Sequence, residues 1–341
     1  PHSKFHNSNH RVLEPFMAEF PNIPYEIIPA GFKDLRKARR KVQQALKLYQ
    51  NTIVVGVGFT APYFMSLRGN YQQIWCINGI PEESLLHSNS LWKRLEVFFK
   101  WKSMQLIFSP EVVITVSKRM KNFVQDKFPN SSVLSIPLCA DLKRFSAKPG
   151  LEKNLFTYSG SGAPWQNLGQ LSEVWGKIYE LAPDSKFRVI SRDPRAQILG
   201  KYLPNEAIEF VGTSALDELA FLFQAAEVGF LLRKDSLVNR VSFPTKLSEY
   251  LASGAWVVVS EIDWDVADWV EKYQAGILVS PESDSKEIAQ KILQKMKDFR
   301  QDQKLTTRLH QAALELGKSN WLKRGHEILE NTMALHSGSH K

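Results

Sequence analysis

FPTKLSEYLASGAWVVVSE, residues 243–261, places a helix, its stop signal and a buried strand in one stretch. Pro244 suits the first turn, where its missing N–H is not needed, and Gly254 suits the end, where the backbone turns left-handed. WVVVSE at 256–261 is then a continuous apolar, β-branched run with no polar alternation. Such a strand is covered on both faces, the situation of a parallel sheet wrapped by helices.

The same pattern repeats outward. Upstream in this half stand LFTYSG at 155–160, KFRVISR at 186–192, AIEFVG at 207–212 and EVGFLL at 227–232, separated by helical stretches at 168–182 and 216–226. An earlier series comprises YEII at 25–28, TIVVGVGF at 52–59, QIWCI at 73–77, VVITVS at 112–117 and VLSIP at 133–137, with a basic helix over 32–49. Two α/β units are therefore expected, and a length of 341 residues exceeds what one core usually organises. The polar segment CADLKRFSAKPGLEKN, residues 139–154 with Pro149-Gly150, reads as the linker. The expected division is 1–150, then 151–320, with a last helix at 321–335 crossing back to the first domain.

Charge separates the two halves. Residues 1–150 hold 21 Lys+Arg against 10 Asp+Glu, whereas residues 151–341 hold 23 against 25. The basic surplus in the first half suggests an anionic partner there. SLWKRLEVFFKWKSMQLIF at 90–108 interleaves Trp92, Phe98, Phe99, Trp101 and Phe108 with Lys93, Arg94, Lys100 and Lys102. Such a helix fits an anionic membrane interface, with Trp92, Phe99 and Trp101 toward lipid; a core helix with snorkelling lysines fits equally. No run of about 18 apolar residues predicts a membrane span, and no apolar segment follows the polar start PHSKFHNSNH. Cys76 and Cys139 are too few for a disulfide framework. The expectation is a cytoplasmic protein, peripheral at the inner face of a membrane. No nucleic-acid motif accompanies the charge, so nucleic acid is not expected as a partner.

A doubly wound sheet binds ligands beyond the carboxyl ends of its strands. Ser159, Gly160, Ser161 and Gly162 follow the LFTY strand and precede a helix, where small residues let amides approach a phosphate; the same residues would also make a plain tight turn. Arg192 ends the next strand, and Arg233 follows GFLL. In the helix after Pro244, Thr245 and Ser242 lie near the amide-rich end, and Lys246 and Glu249, three apart, share a face. Phosphate on Lys246 and ribose on Glu249 is one reading; an exposed i,i+3 ion pair is the other.

These stretches resemble the glycosyltransferase family 4 group of the GT-B fold. FPTKLSEYLASGAWVVVSE resembles its donor-site helix and strand, and FVGTSALDELAFLFQAAEVGFLL its nucleotide-binding stretch. VVITVSKRMKNFV with SIPLCADLKRF resembles the end of the N-terminal domain, with Ser117, Pro137, Asp141 and Phe145 in matching places. Trp321 in SNWLKRGHEILE resembles the start of the last helix, and SNHRVLEPFMAEF the first helix, the strand before it not being evident. Glu249 matches the second of two family glutamates; Val241 stands at the first. The family's Arg-and-Lys pair is absent from SGSGAPWQN, and Asn78 stands where many members carry His.

The resemblance implies two Rossmann-like domains facing an interdomain cleft, and a transferase that moves a sugar from a nucleoside diphosphate to an acceptor hydroxyl with retention and without a metal. Lys246 and Arg240 would carry the diphosphate charge, joined by Asn78 on the catalytic side. Ser159–Gly162, Arg192, Arg233, Thr245 and Glu249 would hold the nucleotide. No cofactor is implied beyond the sugar-nucleotide co-substrate, and the acceptor would be a saccharide or lipid-linked saccharide in polysaccharide or glycolipid assembly. A non-catalytic relative binding a glycan or a partner protein is the alternative. Asp263-Trp264-Asp265 spells a metal motif, but it follows a late strand, so no metal site is expected.

Overall fold

The computed structural model describes residues 35–48, 53–59, 61–65, 71–147, 152–213 and 215–327. The strand expected at 25–28 and the helix expected at 8–20 lie outside these residues. The chain forms two compact units, Pro1–Pro137 with Trp321–Lys341, and Leu138–Asn320.

In the first unit the order is α1 (Leu35–Leu48), β1 (Ile53–Val57), α2 (Ala61–Met65), β2 (Gln72–Ile77), α3 (Leu91–Ile107), β3 (Val112–Thr115), α4 (Lys118–Gln125) and β4 (Ser132–Ser135). The strands pair in parallel in chain order, β1-β2-β3-β4. Serine caps start the longer crossovers: Ser90 Oγ accepts from Lys93 N, and Ser117 Oγ from Met120 N. Trp75 is fully buried, its Nε1 donating to Gly58 O at 2.9 Å and its ring meeting Phe108 and Phe128 edge-on. Trp101 belongs to this core and not to a lipid-facing surface. Its Nε1 donates to Glu82 Oε1 at 2.9 Å and its ring packs against Phe59 and Phe123.

The second unit is built from β5 (Leu155–Ser159), α5 (Leu168–Leu181), β6 (Lys186–Ile190), β7 (Ile208–Val211), α6 (Leu216–Ala225), β8 (Val228–Leu231), α7 (Leu237–Val241), α8 (Thr245–Ala252), β9 (Trp256–Ser260), α9 (Asp265–Tyr273), β10 (Gly276–Val279), α10 (Ser285–Gln301) and α11 (Leu305–Glu315). Its six strands are parallel in the order β10-β9-β8-β5-β6-β7. The chain winds outward from β5 to β7, then returns to β8 on the other side of β5. Strand order therefore reverses between β5 and β8, and their carboxyl ends frame the crevice where such sheets bind ligands. Phe156, Phe187, Phe230 and Trp175 stack beneath them; burial of each ring contributes roughly 2–3 kcal/mol.

The opening stretch behaves as its residues dictate. Pro244 is the N-cap of α8, and Gly254, at φ +90°, closes it. Ala255 N donates to Tyr250 O and Gly254 N to Leu251 O, the paired bonds that end a helix on a left-handed residue.

The division falls after Pro137, earlier than the expected linker. Although polar overall, the segment to Ala147 is anchored by isolated residues. Ala140 bridges to Gly317, Phe145 lies against Phe223, and Arg144 pairs with Asp217 at 2.9 Å.

Glycine positions test the sheet. A Cβ on Gly276 would sit 1.9 Å from Val257 O, a backbone atom that cannot yield, whereas one on Gly169 in α5 would meet nothing within 4 Å. Gly276→Ala is expected to cost about 3 kcal/mol, and Gly169→Ala to be neutral or stabilising by about 0.5 kcal/mol. Urea denaturation midpoints measure both. Equal midpoints would contradict the β9–β10 pairing.

Candidate functional site

The loops beyond β5 and β8 are stitched into one framework. Gln166 and Arg233 form an antiparallel bridge, Asn167 N donates to Leu232 O, and Lys234 N to Trp165 O. Asn239, fully buried at α7, donates from Nδ2 to Trp165 O and Lys234 O at 2.9 and 2.7 Å. Its Oδ1 is buried without a partner. From β9, Ser260 Oγ accepts from Arg233 N and donates to Arg233 O. The carboxyl ends of β5, β8 and β9 are thereby locked together.

The Ser159–Gly162 loop is differently employed from the expectation. Gly160 N donates to Ile190 O, and Gly162 N to Asp193 Oδ2 at 2.9 Å. Two of the amides expected to meet phosphate are thus used within the chain. Both glycines are required by packing: a Cβ on Gly160 would fall 2.7 Å from Tyr158 Oη, and one on Gly162 2.3 Å from Arg195 Cβ. Ser159 is buried and Ser161 exposed, with Ser161 O accepting from Tyr158 Oη. Arg195 holds the Asp193 carboxyl far below the usual range, with the Gly162 amide assisting.

Arg233 is the electrostatic anomaly of this region. Only 9% of its surface is exposed, its Nε is buried without a partner, and no carboxylate of the described residues pairs with it. Burial pushes its guanidinium down to about 10, opposed by the neighbouring Tyr158 phenol. Tyr158 itself is raised by burial. A buried cation without a counter-ion is costly.

The α8 residues stand at the same edge, because a helix returning from β8 to β9 starts at the carboxyl side of the sheet. Pro244 supplies no side-chain cap, and neither does Asn167 at the start of α5. Both amide-rich ends are therefore open to an anion. Thr245 occupies the first turn, half-buried. Lys246 Nζ meets Glu249 Oε2 at 2.6 Å, with the side chains 18% and 6% exposed, so this is not a surface pair. Lys246 also lies over the Phe223 ring.

Arg240, expected to share the diphosphate with Lys246, is clamped in two hydrogen bonds of 2.7 Å by Asp235. Its charge is already answered, as is that of Lys246, leaving Arg233 as the unanswered cation of the three. Arg192 is exposed beyond β6, and Asn78 follows β2 in the first unit, half-buried. Among the described residues no group of three His, Cys, Asp or Glu side chains could hold a metal ion. A cavity of about 830 Å³ lies along edge strand β10, lined by residues including Gln274, Leu278 and Lys291, and none of the expected site residues lines it. Sequence reasoning named Asn239 beside Arg240 but missed Tyr158, for which a polar side chain in an otherwise apolar run was the available signal.

No curated protein matches the chain by sequence. Among solved structures it is similar to sucrose-phosphate synthase from Thermosynechococcus elongatus at 17% identity and TM-score 0.69, covering 92% of this chain and 87% of that one. WaaG, a glycosyltransferase involved in lipopolysaccharide biosynthesis, aligns at 12% identity and TM-score 0.65 over 94% and 96% of the two chains. The pneumococcal O-GlcNAc transferase GtfA, solved with UDP and GlcNAc, aligns at 14% identity and TM-score 0.60 over 87% of this chain and 60% of its own. At these identities the likeness is one of fold. The family of glycosyl transferases group 1 matches residues 140–314, more than half of the chain and nearly all of the second unit. The chain thus belongs to the glycosyl transferases of group 1, and its fold is GT-B, with two Rossmann-like units.

Proposed function

We propose that the second unit binds a nucleoside diphosphate sugar at the β5–β8 crossover and that the chain transfers the sugar to an acceptor hydroxyl with retention. The observation that carries this reading is Arg233, a buried guanidinium that no carboxylate of the described residues pairs with, where the strand order reverses. Arg233 holds the diphosphate, Lys246 and the open amide ends of α5 and α8 assist, and Glu249 hydrogen-bonds the ribose diol. As the bond from the anomeric carbon to the diphosphate oxygen breaks, its electron pair leaves with the diphosphate, and these positive groups stabilise the developing charge. The acceptor oxygen bonds the anomeric carbon from the same face and its proton passes to the departing phosphate. The charge is answered by protein groups alone in this scheme, so it needs no metal.

The acceptor is taken by the basic first unit. A lipid-linked saccharide is the first choice, supported by the fold shared with WaaG. Uridine is the first base to test, since GtfA was solved with UDP.

Thermal-shift measurements with UDP, GDP, ADP and CMP test the reading. One diphosphate is expected to raise the melting temperature, since a ligand at about 100 Kd adds about 2.7 kcal/mol to native-state stability. No shift with any of them would favour the non-catalytic alternative.

A further inference from the structure

We propose that α3 docks the chain on an anionic bilayer, its axis along the surface and its outward stripe of Trp92, Leu95, Phe99 and Leu106 among the lipid headgroups. At about 100° per residue these four positions share one face. Val97, Trp101 and Met104, the buried residues of α3, occupy the opposite face. The helix is thus apolar on two sides, of which the core uses one. On the other, Trp92 is 80% exposed and Leu106 85%. The stripe runs about 20 Å along the helix, and contiguous apolar surface of this kind marks an interaction site.

Charge selects the occupant. Glu96 is the one acidic residue of α3, and it is held by Lys93 at 2.7 Å and Lys100 at 2.6 Å. Arg94, nearer the start of the helix, donates to the neutral Asn89, and Lys102, beside the stripe, lies over the Phe98 ring, so among the described residues neither charge is met by a carboxylate. Helix α1 contains no acidic residue and exposes Arg36, Lys37 and Arg40. It packs on α2, as does α3, which Tyr63 and Ser103 join by a hydrogen bond of 2.9 Å. The asymmetry persists in the folded units: the first holds 21 Lys+Arg against 11 Asp+Glu, the second 23 against 24. Exposed tryptophan and phenylalanine rimmed by lysine and arginine match an interface that is apolar below and anionic above. No described helix is long and apolar enough to cross a membrane, which leaves docking in the interface plane.

Vesicle flotation of the full chain tests this without nucleotide, so the result stands apart from the donor-site reading. The chain is expected to float with vesicles containing phosphatidylglycerol and to remain behind with phosphatidylcholine alone. Trp92→Ser with Phe99→Ser should reduce binding about tenfold or more at any salt concentration. Arg94→Gln with Lys102→Gln should reduce it about tenfold at low salt and little at high salt. Unchanged circular dichroism keeps both variants interpretable, since all four side chains are exposed. Absence of flotation at low salt, or flotation untouched by both variants, would overturn the proposal. Self-association abolished by Trp92→Ser with Phe99→Ser, with no effect on vesicles, would give the face to a second copy instead.

Discussion

Arg233→Met is expected to lose about a hundredfold or more in affinity for the nucleoside diphosphate while making the free protein more stable. The loss follows from deleting a charge-assisted contact in a buried site, worth about 2–5 kcal/mol. The gain follows from replacing an unpaired buried guanidinium with an apolar chain of similar reach, expected to stabilise by about 1–3 kcal/mol. Ser260 bonds the main chain of Arg233, so the strand ends stay locked in the variant. Calorimetry with UDP and with uridine separates the parts: diphosphate affinity should collapse and nucleoside affinity hold.

Burial lowers the guanidinium from 12.5 to about 10. The folded state therefore disfavours the charged form, and this cost is fully present below the folded value. It is lifted progressively as pH rises from that value toward the unfolded 12.5, so the stability gap between variant and parent should begin to narrow only above about pH 10. Arg240→Gln is the contrast. Its partner Asp235 already answers its charge at the surface, so diphosphate affinity should fall by less than about threefold. A variant at Arg233 that keeps its UDP affinity, or that loses stability, would remove the residue from the donor site.

Much of the fold was legible because buried parallel strands are continuous apolar runs. WVVVS at 256–260 and EVGFLL at 227–232 needed no context. β10, Gly276–Val279, was missed because four residues at a sheet edge with alternating burial carry too little pattern. Composition alone reads 139–154 as a linker because it averages away the single anchors Ala140 and Phe145. For the site, spacing placed Lys246 and Glu249 on one face but could not say whether that face was wet. Nor does sequence reveal which cations already have partners. Asp235 lies five residues from Arg240, at no standard helical spacing, and clamps it through a turn. Arg233 is distinguished only by what does not pair with it, a property of three dimensions. Helix α3 puts Val97, Trp101 and Met104 in the core, as the core-helix reading expected, and leaves a second apolar face exposed that its residues alone could not distinguish from the first.

Glu249→Ala, which a surface ion pair would tolerate, is expected to destabilise the fold by about 3–5 kcal/mol, because it strands the Lys246 ammonium in a site largely closed to water. The Phe223 ring, 5.4 Å from that ammonium, compensates only part of the loss. The informative changes therefore preserve volume. Glu249→Gln keeps an acceptor for one ribose hydroxyl but loses the charge, so affinities for uridine and UDP should fall together by about tenfold. Lys246→Gln should lower UDP affinity by about tenfold or more and leave uridine unchanged, since only the diphosphate is anionic. Lys246→Met with Glu249→Leu removes both charges at once and should be more stable than the sum of the single losses, the coupling expected of a buried pair. If the pair serves packing alone, that double variant will fold, show the same coupling and still bind UDP as the parent does. Loss of UDP binding in a folded double variant places both residues against the ligand.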